Sequence, residues 1–127
     1  PKPDDRFPTH CSDGPGSTIF SYLSSRRPAT FAAIHYIDVC PDYVARDDAQ
    51  RLLANPPAVI VNFRLTEQFL EMGERNFRGG RRSGQRDLLL AIERLTRSYR
   101  LVESLVTPIS GETLEIWARP PRARATP

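Results

Sequence analysis

Lysine is nearly missing from this chain. Of its 18 basic residues only Lys2 is not arginine. Nucleic-acid binders usually draw on both cations, and the net charge is only +3. The bias therefore points to GC-rich codon usage more than to a polyanionic ligand. Long apolar runs are also missing. Nothing approaches the roughly 18–20 consecutive apolar residues that a membrane span needs, and no basic-then-apolar signal peptide opens the sequence. A chain that opens on Pro1 rather than Met reads as trimmed or as a fragment. Cysteine is limited to Cys11 and Cys40. Without a CxxC pair, a redox motif or a zinc pair of ordinary spacing is excluded. One disulfide in an oxidising compartment and two separate thiols both remain open.

The phosphate and nucleophile motifs are absent as well. There is no GxGxxG, no GxxxxGK[ST] and no GxSxG. Gly14-Pro15-Gly16 is a poor substitute for a phosphate loop, because proline removes one of the N–H donors such a nest requires. His35 and Cys40 are separated by a strand end and a turn, so they do not read as a nucleophile–base pair. His10, Cys11, His35 and Cys40 match no common zinc spacing. Asp4-Asp5 and Asp47-Asp48 read as solvated carboxylates, the second pair near a helix start where the dipole favours negative charge. These readings give no catalytic residue, no metal site and no cofactor.

What is present is one domain of modest core size. Twelve prolines crowd the two ends. Residues 1–16 therefore read as a tail or linker, 17–119 as a single α/β domain and 120–127 as a second tail. A short helix is expected over Ser17–Ser25 and a buried strand over Phe31–Ile37. ARDDAQRLLAN should be a helix that stops at Asn55-Pro56-Pro57. Ala58–Val61 is a continuous apolar run of the kind found in strands covered on both faces. Thr66 should cap the next helix, and Ser83 should open a longer one through about Ser98, with Leu88, Leu89, Ile92 and Leu95 at helical spacing. Tyr99–Val106 and Thr113–Arg119 read as a closing hairpin. The order α, β, α, β, α, α, β, β predicts a small layered Rossmann-like domain. Its sheet would be mixed and mostly parallel, with helices on both faces and a C-terminal β-hairpin.

Two regions carry candidate ligand-binding residues. Ligands of open α/β sheets bind outside the carboxyl ends of the strands, which selects His35 and Asp38 after one strand and Asn62 and Arg64 after the next. The other region is the arginine loop, where Arg75, Arg78, Arg81, Arg82 and Arg86 surround Phe77 and two glycines. Arg78, Arg81 and Arg82 could hold phosphate groups there. The plain alternative is a solvated loop offset by Glu71, Glu74 and Asp87.

The order of phrases also carries a resemblance. IFSYLSSRRPATFAAIHYID is followed by DDAQRLLANPPAVIVNF, then by a helix running into Tyr99-Arg100-Leu101-Val102, then by ETLEIWAR. Together they resemble the soluble C-terminal domain of bacterial multi-spanning glycosyltransferases of the GT-C architecture, similar to protein mannosyltransferases and aminoarabinose transferases. The resemblance covers roughly residues 17 to 119. It implies an accessory domain on the extracytoplasmic, periplasmic face of an integral membrane enzyme that uses a polyprenyl-phosphate-linked sugar. The implied partners are the membrane domain of the same polypeptide and the lipid-linked sugar or its acceptor, with no nucleic acid. The family's catalytic acid lies between membrane spans, and no position here corresponds to it, so the fragment is expected to be inactive alone. The family's first strand lies ahead of the Ser17 helix, where this chain offers only HCSDGPG. Two further readings stand beside this one. The first is a free-standing phosphate- or RNA-binding module using the Arg75–Arg86 loop. The second is a small soluble enzyme with its site at the strand ends.

Overall fold

Asn55-Pro56-Pro57 separates the two elements that anchor the fold. The computed structural model describes residues 35–106, 108 and 113–121, together with the backbone of residues 9–11. Helix α1, Asp42–Ala54, runs up to this stop, and Asn55 N–H closes its last turn on Arg51 O at 2.9 Å. Pro56 and Pro57 cannot continue the helix. Strand β2, Val59–Arg64, follows. The stop is locked from the far end of the chain: Arg119 donates to Pro56 O at 2.9 Å, and the Tyr99 hydroxyl donates to Pro57 O.

Helix α2, Glu67–Phe77, is capped as expected by Thr66, whose Oγ1 accepts Phe69 N–H at 3.2 Å. It ends where Gly79 and Gly80 take φ values of 62° and 80°, a left-handed turn that glycine adopts without Cβ strain. Helix α3, Gly84–Thr96, begins directly after Ser83. Its Leu88, Ile92 and Leu95 join Ala49 and Leu52 of α1, Ile60 of β2 and Tyr99 in one buried cluster, with Trp117 packed against it. Each fully buried leucine in such a cluster contributes about 2 kcal/mol. This apolar seam between α1, α3 and β2 is what joins the layers.

The sheet corrects the Rossmann-like expectation. Its order is β1-β2-β4-β3, with β1 Thr9–Cys11, β3 Arg100–Val106 and β4 Thr113–Ala118. β2, β4 and β3 are antiparallel neighbours, and only the three-residue β1 runs parallel to β2. The sheet is therefore mostly antiparallel. The reason is that the closing hairpin joins the sheet through β4, with β3 left at the edge. β2 is therefore flanked on that side by an antiparallel partner rather than by a crossover neighbour. β1 also places a strand inside the segment that reads as a tail.

The strand expected over Phe31–Ile37 is not continued in the described part of that stretch. Residues 35–40 form a turn, with Val39 N–H and Cys40 N–H both donating to Tyr36 O. Residues 31–34 and the Ser17–Ser25 helix lie outside the described residues. So does the Cys11 side chain, and with it the question of a Cys11–Cys40 bond.

Candidate functional site

The structure distributes the seven candidate residues over three places. His35 is one wall of an apolar cavity of about 290 Å³ between the 36–38 turn and α2, with exposed Asp38 at its lip. The imidazole is fully buried, and its Nε2 lies 2.8 Å from Asp48 Oδ2. Asp48 is thus not the solvated carboxylate that its sequence neighbourhood suggests. It faces inward from α1, while Asp47 beside it is exposed. This histidine–carboxylate contact ties the 35–40 turn to α1.

The arginine loop is the second place, and most of its charge is already engaged. Arg78 reaches across to α1, with Nε 2.7 Å from Asp42 Oδ1 and Nη2 2.9 Å from Cys40 O. Arg82 pairs with Asp87 at 2.9 Å. Arg86 grips Glu74 through Nε and Nη2 and reaches Glu67 at 2.7 Å. Arg81 donates to Arg78 O at 3.0 Å, and its side chain, like that of Arg75, is exposed.

The carboxylates at this junction cap α3. Glu74 Oε2 accepts Ser83 N–H at 2.5 Å, and Asp42 Oδ1 accepts Gly84 N–H at 2.9 Å. The Arg86 hydrogen bonds outweigh burial and hold the Glu74 carboxyl at about 2. Burial pushes the Asp42 carboxyl up, but the Gly84 N–H and Arg78 together bring it below its ordinary value. Gly84 has no alternative here, because a Cβ would stand 2.3 Å from Asp42 O.

The third place gathers candidates from both regions. Along β2, Ile60, Asn62 and Arg64 point to the helix-bearing face of the sheet, since alternate residues share a face. Opposite them on β4 stand Trp117, Glu115 and Thr113. The face is apolar at the Ile60–Trp117 end, where α1 and α3 cover it. It is polar at the Asn62–Glu115 pair, although both of these are buried, at 6% and 7% exposure. That polar half opens into a groove of about 430 Å³ bounded by α3 and the start of α2, where Arg86 and Glu93 of α3, Glu67 of α2 and Arg82 of the loop between them complete the wall. The one charged contact between the strands is loose: Arg64 Nε stands 3.6 Å from Glu115 Oε1, with Arg64 largely in solvent.

Asn62, Arg64 and Arg82 are therefore brought together. His35, Asp38, Arg78 and Arg81 are not part of this groove. Sequence reasoning missed Glu115, Trp117 and Glu93. The alternation of TLEIWAR placed Glu115 and Trp117 on one face, but nothing in it fixed the register that sets Glu115 opposite Asn62.

Chemically the groove wall combines a carboxylate, guanidinium groups and part of an indole ring. Among the described residues no three His, Cys, Asp or Glu side chains are grouped to hold a metal ion. Among them, too, no helix is long and apolar enough to cross a membrane. Compared with known proteins, the chain matches no family model, no curated protein and no solved structure.

Proposed function

We propose that this chain is an accessory domain of an integral membrane glycosyltransferase that uses a polyprenyl-phosphate-linked sugar. In this reading it sits on the extracytoplasmic face, packs against the membrane part of the same polypeptide and performs no chemistry alone. The sequence phrases around Asn55-Pro56-Pro57 and Thr113–Arg119 suggest the family. The structural observation that carries the docking role is β3. Every residue of this edge strand is exposed, including Leu101 at 44%, Val102 at 49%, Leu105 at 51% and Val106 at 68%. Leu101 shares a face with Trp117 and Leu105 the opposite face with Leu114, so neither side of the strand is tucked against its own domain. An edge strand that is apolar on both faces invites pairing and aggregation unless something covers it. The membrane body of a longer chain would supply that cover.

The gene upstream of Pro1 tests this directly. About eight or more apolar runs of roughly 20 residues there would support the reading. A start codon immediately ahead of Pro1 would overturn it.

A further inference from the structure

Buried polar groups are ordinarily answered by a neighbour. One on the wall of the apolar cavity is not. Gln85, only 2% exposed, lines that cavity from the first turn of α3. Its Nε2 donates to Cys40 O at 2.9 Å, and this bond fixes which way round the amide lies. Oε1 of the same amide is buried and accepts no hydrogen bond among the described residues. The cavity is the open space that this side chain lines. A donor arriving there would complete the acceptor and remove the cost of leaving it unmet.

The rest of the lining says what should carry that donor. Phe69, Met72 and Phe77 of α2 line the cavity and are all exposed, while Leu70 beside them is buried. Ile37 closes against α2 because Gly73 has no side chain: a Cβ there would stand 2.7 Å from Ile37 Cγ2. Apolar side chains left exposed around one concavity mark a place where apolar surface is to be covered. Charge narrows the class further. Among the described residues no arginine lines the cavity, and its one carboxylate is Asp38 at the lip. An anionic ligand would meet that carboxylate with no cation to answer it. A cationic group would have to shed its water to reach Gln85. A neutral hydroxyl avoids both costs and supplies the donor. The volume of about 290 Å³ is roughly twice the ~150 Å³ of an apolar cavity that takes up benzene, so there is room for two fused rings.

From this combination we infer that the cavity between the 36–38 turn and α2 binds a small, neutral, apolar alcohol. Its hydroxyl donates to Gln85 Oε1, and its body packs against Phe69, Met72 and Phe77. No residue of β3 lines this cavity, so the inference goes beyond the proposed docking role and does not depend on it.

Three ligands of one shape test it at neutral pH. 2-Naphthol carries the hydroxyl, naphthalene lacks it and 2-naphthoate replaces it with a negative charge. Each is titrated into the ¹⁵N-labelled chain while the backbone amide shifts are followed. The expected result is saturable shifts in the 36–38 turn, α2 and the start of α3, with a Kd for 2-naphthol on the order of 0.1 mM. Naphthalene should bind about fivefold more weakly, the worth of one hydrogen bond, and 2-naphthoate more weakly still. Phe69→Ala and Phe77→Ala, both at exposed positions, should each weaken 2-naphthol about threefold. Gln85→Met leaves Cys40 O its bond from Arg78 and should bring 2-naphthol down to the affinity of naphthalene. Native dispersion of the amide spectrum establishes that each variant folds. Should Gln85→Met not fold, the three-ligand comparison on the unsubstituted chain decides alone. No saturable shift with 2-naphthol overturns the inference. So does naphthalene binding as tightly as 2-naphthol, 2-naphthoate binding tightest, or a set of shifts that lies away from the cavity.

Discussion

Two regions of this domain are built from the same side chains and use them in opposite ways. At the junction of the three helices, Arg78, Arg86, Asp42 and Glu74 meet at 2.7–2.9 Å and also satisfy the first N–H groups of α3. In the groove, Arg64 and Glu115 stand 3.6 Å apart on a wall open to solvent. The closed region needs no ligand to complete it. The open one keeps a nearly buried carboxylate with one loosely held partner. Arginine and glutamate counts alone cannot separate these uses. What separates them is whether the carboxylate also meets a helix N-terminus, because that fixes its position.

The sharpest test of the contrast is Glu74→Ala. It leaves Arg86 without its principal partner and Ser83 N–H without an acceptor, and should cost about 3 kcal/mol in urea denaturation. The same carboxylate sets a pH signature. Its folded value of about 2 lies below the ordinary 4.5, so its stabilisation is complete above the latter. As pH falls from there toward 2 that stabilisation is lost, and Glu74→Gln should flatten this part of the stability–pH curve. Gly84→Ala comes next. The new methyl collides with the Asp42 backbone, and thermal melts should register a loss of about 2 kcal/mol. Arg64→Ala in the groove should be smallest, within about 0.5 kcal/mol, because the Arg64 side chain is largely in solvent and its contact with Glu115 is long and screened. A groove substitution as damaging as Glu74→Ala would erase the distinction between the two regions.

The parts of the fold governed by local chemistry were legible in the sequence. Thr66 caps α2, the double proline stops α1, and the spacing of Leu88, Ile92 and Leu95 marks the buried side of α3. What depends on distant partners was not. β-branched and aromatic residues around Ile37 favour a strand, yet the Cys40 carbonyl is claimed by Arg78 and by Gln85 at 2.9 Å each, and the chain turns to present it. β1 is too short to show a period and sits among prolines. Asn62 and Arg64 could be nominated from the strand-end rule, but their surroundings depend on β4 entering the sheet beside β2. That neighbour comes from the far end of the chain, and no local pattern announces it. The strand-end rule selects His35 too, but its burial against Asp48 depends on α1 and is not visible in the local pattern.

The Asp42 carboxylate has one more consequence. A single oxygen accepts from Arg78, just past the end of α2, and from Gly84, at the start of α3. Both ends of the intervening loop are therefore moored to α1 and not merely to each other. The stretch around Gly80 and Arg81 supplies continuity of the chain without setting the angle between the helices it joins. A residue inserted between Gly80 and Arg81 should therefore leave the helices where they are.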